Sequence, residues 1–150
     1  LSSELDSLDR KILDLIQEDA RASFAQVAKR VGVSEGTIHL RVRRMVSHGI
    51  IRGFYALLAP EKVGRGLTAF VELKADPAKY REALNRIQGL KDVYEIHDVT
   101  GEFYAILKVR TASKEGLARV IDAIGDIEGV TSTQTTVVLR TIKETHKVEV

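Results

Sequence analysis

The chain has 150 residues, of which 44% are hydrophobic and 29% charged, with no cysteine and a formal net charge of +2. That length allows one domain or two small ones, and that balance belongs to a chain with a buried core rather than a disordered one. The lack of cysteine excludes disulfides and thiolate-bound zinc or iron–sulfur centres.

The opening "LSSELDSLDRK" carries acids where a signal peptide needs an apolar core. No apolar run approaches the roughly 20 residues of a membrane span, so a cytoplasmic protein with no membrane contact is expected. Leu8, Ile12, Leu15 and Ile16 then recur at helical spacing, which predicts a helix over about Asp6 to Asp19 with Asp6 as its N-cap. In "SFAQVAKRV", Ser23 is followed three residues later by Gln26, a capping box that satisfies the free N–H groups of a second, short helix ended by Gly32. Ser34 caps a third helix with Ile38, Val42 and Met45 on its inner side and Gly49 as its stop, since a helix end often needs a positive φ. Three short helices with a tight turn between the last two describe a helix-turn-helix.

After Gly49, "IIRGFYALLAP" reads as an extended connector or strand, and Pro60, Gly64 and Gly66 mark a boundary. The expected division is a DNA-binding domain at 1–52, a connecting strand or hinge at 53–66, and a second domain at 67–150. In that second domain "LTAFVELKA" predicts a strand, and Pro77 starts a helix with Tyr80, Leu84 and Ile87 on one face. "DVYEIHDVTG" and "EFYAILKVR" form two strands joined through Thr100–Gly101–Glu102. Ser113 caps a helix bearing Leu117, Val120, Ile121 and Ile124, and Gly129 precedes a last strand, "VTSTQTTVVLRTIKE". The fold class is therefore α+β, with the helix-turn-helix joined to a ferredoxin-like βαββαβ sandwich. Phe70, Tyr94, Ile96, Tyr104 and Ile106 suggest apolar groups on both sheet faces, and a face without helices calls for a partner subunit, at least a homodimer.

The net charge becomes informative when divided along the chain. Lys29, Arg30, Arg41, Arg43, Arg44 and Arg52 face only Glu35 between positions 29 and 52, a local balance of +5, whereas the chain from Ala56 onward is neutral. Such concentration points to nucleic acid, and together with the helix-turn-helix to double-stranded DNA. On a helical wheel Gly36, His39, Leu40 and Arg43 point away from the inner side of the third helix. Arg41 and Arg44 lie on the flank as phosphate or structural contacts, and Ser34, Glu35 and Thr37 lie at its N-terminal end. Arg43 is best placed to pair with guanine O6 and N7.

The same residues resemble the Lrp/AsnC family of feast/famine transcription regulators. The likeness is carried by "LDxxDxxIL", "VGxSExTIxxRVRRM" and "GIIxGFxAxLxP" in the first half, and by "VTGEFYAILKVRT" and "GVTSTQTTVVL" in the second. It implies a winged or plain helix-turn-helix, a connecting strand, and a sandwich that dimerises and stacks into tetramers or octamers. It also implies an amino-acid effector between dimers that alters assembly and transcription. Carried onto this sequence, the effector pocket involves Thr100, Gly101, Glu102, Phe103 and Tyr104 with Thr133, Gln134, Thr135 and Thr136. A glycine–acid hairpin beside a Thr/Gln-rich strand offers donors for a carboxylate and acceptors for an ammonium. Tyr104 stands where many relatives carry an acid, and a phenol cannot supply a carboxylate's charge at neutral pH. A polar effector such as glutamine is the reading.

Other classes find less in the sequence. There is no P-loop, nucleophile motif or dinucleotide fingerprint, so no catalysis and no cofactor are expected. His39, His48, His97 and His146 are dispersed and lack the spacing of a metal site. An architectural DNA-binding protein whose second domain serves assembly alone, with no effector, is the alternative.

Overall fold

The computed structural model describes residues 5–150; residues 1–4, the start of the expected first domain, lie outside the described residues. The chain forms two compact units, one of residues up to Ala56 together with Lys143–Val150, the other of Leu57–Ile142.

The first unit is built from α1 (Ser7–Glu18), α2 (Phe24–Val31) and α3 (Glu35–Ser47). Each start is fixed by the expected polar side chain. Asp6 accepts the N–H groups of Leu8 and Asp9, Ser23 and Gln26 close a reciprocal capping box, and Ser34 accepts the N–H of Thr37. Each such cap is worth about 1 kcal/mol. Gly32 adopts φ 78° and passes the chain straight from α2 to the cap of α3, a backbone conformation that only glycine takes cheaply. Ile12, Leu13, Ile16, Val27, Ile38, Val42 and Met45 interlock beneath the three helices, and each fully buried aliphatic stabilises by roughly 1.5–3 kcal/mol. Among the described residues no β-strand belongs to this unit, so the helix-turn-helix is of the plain form, without a wing.

The final residues, Lys143–Val150, pack with the first unit. The side-chain amide of Gln17 on α1 accepts the backbone N–H of Val148 at 2.8 Å and donates to its carbonyl at 3.0 Å, and Lys147 lies 3.6 Å from Glu18. The terminal segment thus belongs to the helical unit.

The second unit contains β1 (Leu67–Ala75), α4 (Tyr80–Gln88), β2 (Val93–Asp98), β3 (Ala105–Thr111), α5 (Lys114–Gly125) and β4 (Val130–Val137). The strands lie in the order β2-β3-β1-β4, all antiparallel, which is the ferredoxin-like arrangement. Ala69, Val71, Leu73, Ala105, Leu107 and Val109 turn one sheet face inward against Ala83 and Ile87 of α4 and Leu117, Val120 and Ile124 of α5.

Three expected details differ. Pro77 does not start α4: Asp76 Oδ1 takes the N–H of Ala78 and its carbonyl takes that of Lys79, forming a turn that delays the helix to Tyr80. The hairpin between β2 and β3 is longer than Thr100–Gly101–Glu102, because Val99 N–H reaches the Tyr104 carbonyl and leaves Phe103 and Tyr104 in the loop. The last strand stops at Val137 rather than running to Glu144, since β1, its pairing edge, ends the ladder at Ala69, with only Val138 N–H reaching Thr68 beyond it.

Candidate functional site

On α3 the structure separates side chains that are engaged within the unit from those that are not. Asp9 is wholly buried, and its two carboxylate oxygens take Arg41 at 3.2 Å and Arg44; Arg41 also bonds Asp6. Asp6 and Asp9 therefore neutralise both flanking arginines and tie α3 to the start of α1. Of the two roles open to Arg41 and Arg44, the geometry supports the structural one. The backbone N–H of Asp9 and the Arg41 guanidinium hold the Asp6 carboxyl at about 2. Sequence reasoning missed Asp9, although an acid on the same stripe as Ile12, Leu13 and Ile16 is a signal that a counter-charge must arrive from elsewhere in the fold.

The N-terminal polar residues of α3 are engaged as well. Ser34 and Thr37 hydroxyls lie 2.8 Å apart within the cap. The His39 ring meets Phe24 edge-on at 4.5 Å, and its Nε2 lies 3.8 Å from Glu35. Gly36 is bare, Leu40 is 70% exposed, and Arg43 is exposed with no acidic partner among the described residues. The His39 side chain is nonetheless 63% exposed, so Gly36, His39, Leu40 and Arg43, the outward set expected from the sequence, are all exposed.

The effector residues divide differently from expectation. In the hairpin, Glu102 pairs with Lys74 at 2.6 Å, and that ammonium sits 5.1 Å over the Phe103 ring. Lys74 depresses the Glu102 carboxyl below its usual range. Tyr104 donates its N–H to the Leu73 carbonyl at 2.9 Å, which docks the loop on β1. Its carbonyl accepts the Tyr80 hydroxyl at 2.9 Å, and the two rings meet edge-on at 5.9 Å. The single Tyr80 hydroxyl proton is shared between that carbonyl and the Asp98 carboxylate; burial, aided by that acid, pushes the phenol up to about 12. Gly101 adopts φ 124°, and Thr100 is exposed.

Along β4, Gln134 pairs with Glu72 and Thr136 with Phe70, so both share the uncovered face; Thr133 and Thr135 pair with the buried Leu73 and Val71 and turn toward the helices. Only half of the expected β4 set therefore faces away from the core, and Lys74 joins the hairpin without having been foreseen. Two surface clefts lie elsewhere, one beside Leu15 and Gln26, the other along β2 beside Leu84 and Tyr94.

The uncovered face is mixed rather than apolar. Phe70 and Ile106 lie among Glu72, Lys108 and Arg110, with Tyr94 under the Arg110 guanidinium at 5.6 Å and Glu95 3.2 Å from both His97 and Lys108. Ile96 pairs with Leu107 and so belongs to the helix-covered side. No helix among the described residues is long and apolar enough to cross a membrane, and they contain no group of three or more acids and histidines fit to hold a metal ion.

The AsnC-type helix-turn-helix domain family matches residues 5–46, and the Lrp/AsnC ligand binding domain family matches residues 68–148. The HTH-type transcriptional regulator FL11 of Pyrococcus abyssi is 35% identical over 146 residues, covering 97% of each chain. The structure of E. coli AsnC superposes with a TM-score of 0.89 at 34% identity, over 95% of this chain and 97% of that one. The transcriptional regulator NMB0573 of Neisseria meningitidis, solved as an L-Met complex, gives 0.89 at 31% identity over 96% of both chains. The matched relatives are transcriptional regulators, not enzymes. With a plain helix-turn-helix followed by a ferredoxin-like ligand-binding domain, the chain belongs to the Lrp/AsnC family of transcriptional regulators.

Proposed function

We propose that this regulator reads duplex DNA with the outward face of α3 and couples that binding to an amino-acid effector held by the sheet unit. The observation that carries the reading is Arg43, an arginine with no acidic partner among the described residues on a helix whose other arginines are neutralised. A free guanidinium fork on the second helix of a helix-turn-helix suits guanine O6 and N7 in the major groove.

The uncovered sheet face, with Phe70, Ile106 and Tyr94 set among paired charges, supports a homodimer at least, with further stacking into tetramers or octamers. For the effector, the hairpin 99–104 together with Lys74, Gln134 and Thr136 presents a cation, an acid and neutral hydrogen-bonding groups suited to a zwitterion. A relative solved with L-Met supports an amino acid as the class. Tyr104 in place of an acid favours a neutral polar side chain, glutamine first. The alternative is an architectural DNA-binding protein whose second domain serves assembly alone, without an effector.

A thermal-shift screen against each proteinogenic amino acid separates the two. A ligand that favours the folded assembly raises its melting temperature by mass action. A rise with one amino acid, lost in Gln134→Ala, supports the sensor; a flat response across the set leaves the architectural protein.

A further inference from the structure

We propose that Leu40 is a specificity-determining residue that reads the C5 methyl of a thymine beside the base contacted by Arg43. The inference rests on the DNA-reading function proposed for α3. Leu40 lies one turn beyond Gly36 and three residues before Arg43, and it is 70% exposed. Around it Ser34 and Thr37 bond each other within the cap and Arg41 and Arg44 lie on Asp6 and Asp9, while the exposed His39 ring leans edge-on against Phe24 with Glu35 beside it.

An isolated exposed leucine carries no message by itself. This one stands on the element proposed to enter the groove, between a bare glycine and an arginine with no acidic partner among the described residues. A Cβ built on Gly36 meets nothing closer than Ser34 Oγ at 3.9 Å, so the helix backbone has open space on this face and can approach the DNA closely. A leucine has neither donor nor acceptor, and the apolar feature that the major-groove edges of the four bases offer it is the thymine methyl. A guanine next to a thymine is therefore the step that this face distinguishes.

The test uses the full chain and a duplex enriched by it from a randomised library, measured at one ionic strength because salt alone moves such affinities. Each thymine of the duplex is replaced in turn by deoxyuridine, which removes only the methyl. At one thymine the wild type is expected to lose about fourfold in affinity, the worth of one buried methyl-sized group. Leu40→Ala is expected to lose a similar factor on the thymine duplex and to bind thymine and uracil versions equally, whereas Leu40→Met keeps the discrimination. Wild-type indifference to uracil at every thymine overturns the inference, as does discrimination that survives in Leu40→Ala. Failure to enrich any duplex overturns it together with the DNA-reading function; enrichment without methyl sensitivity overturns the Leu40 assignment alone.

Discussion

The wholly buried carboxylate of Asp9 receives the guanidinium of Arg44, 35 residues further along the chain. Arg41 shares the same acid, so α1 and α3 meet through a charge cluster as well as through Ile12, Ile16, Ile38 and Met45. Replacing Arg41 and Arg44 together by alanine strands a buried charge and is expected to cost about 3–5 kcal/mol in urea unfolding. Replacing either one alone is expected to leave the slope of log affinity against log salt unchanged, because neither releases counterions from phosphate. A reduced slope in Arg44→Ala assigns that arginine to the DNA instead.

Arg43 is expected to behave in the opposite way. Arg43→Ala should fold with wild-type stability, lose about 1–3 kcal/mol on an enriched duplex, and lose much less on random DNA. Arg43→Lys keeps the charge but not the fork, so it should retain random binding and lose selectivity. Equal losses on both kinds of DNA exclude a base contact.

Acid titration should expose Asp6. Its carboxyl is lowered from 3.8 to about 2, so the stability it contributes is fully present above its unfolded value and is lost as pH falls through about 2. Asp6→Asn preserves the cap but not the ion pair with Arg41. The variant is expected to lack the part of the decline in thermal stability between about pH 4 and pH 2 that the wild type owes to this group. Superimposable acid limbs for the two proteins contradict the assignment.

Tyr80 locks the hairpin that carries the proposed effector groups. Tyr80→Phe removes the bonds to Asp98 and to the Tyr104 carbonyl, and is expected to cost about 1.5–3 kcal/mol, the range for a hydrogen bond to a charged group. In the wild type, ultraviolet titration should show one phenol ionising near 12, with the stability it confers fully present below its ordinary value of 10.0 and lost as pH rises from there through about 12. No late-titrating phenol, or its persistence in Tyr80→Phe, contradicts the contact.

Gly101 adopts φ 124° with open space where a side chain would stand. Gly101→Ala is therefore expected to lose stability through backbone strain alone, about 1–3 kcal/mol, without a clash. Hydrogen exchange at hairpin residues 99–104 should accelerate in this variant before the rest of the sheet does; unaltered exchange removes the strain argument.

What the sequence revealed follows from the range of the forces involved. Asp6, Ser23 with Gln26, Ser34 and Ser113 all cap helices as read, because a cap is decided within about three residues. The stripe Ile38, Val42 and Met45 is buried as read, since helical period alone determines it. The bond between Asp9 and Arg44 was not legible, because no local rule connects residues so far apart. Thr133, Gln134, Thr135 and Thr136 were read as one group, but alternation along a strand sends neighbours to opposite faces, and only the register against Val71 and Glu72 tells which. Pro77 misled because a fixed φ suits a turn as readily as a first helical turn.

The pairing of Arg41 and Arg44 with Asp6 and Asp9 inside their own unit has a consequence for information. If α3 reads DNA as proposed, through a few outward side chains such as Leu40 and Arg43, one copy distinguishes only a few base pairs, while a genome offers about a million or more competing sites. No gain in affinity at a single helix closes that gap. On that proposal selectivity is multiplied across copies of α3 in the proposed homodimer, so the geometry that joins the copies would carry as much of the address as the helix that touches the bases.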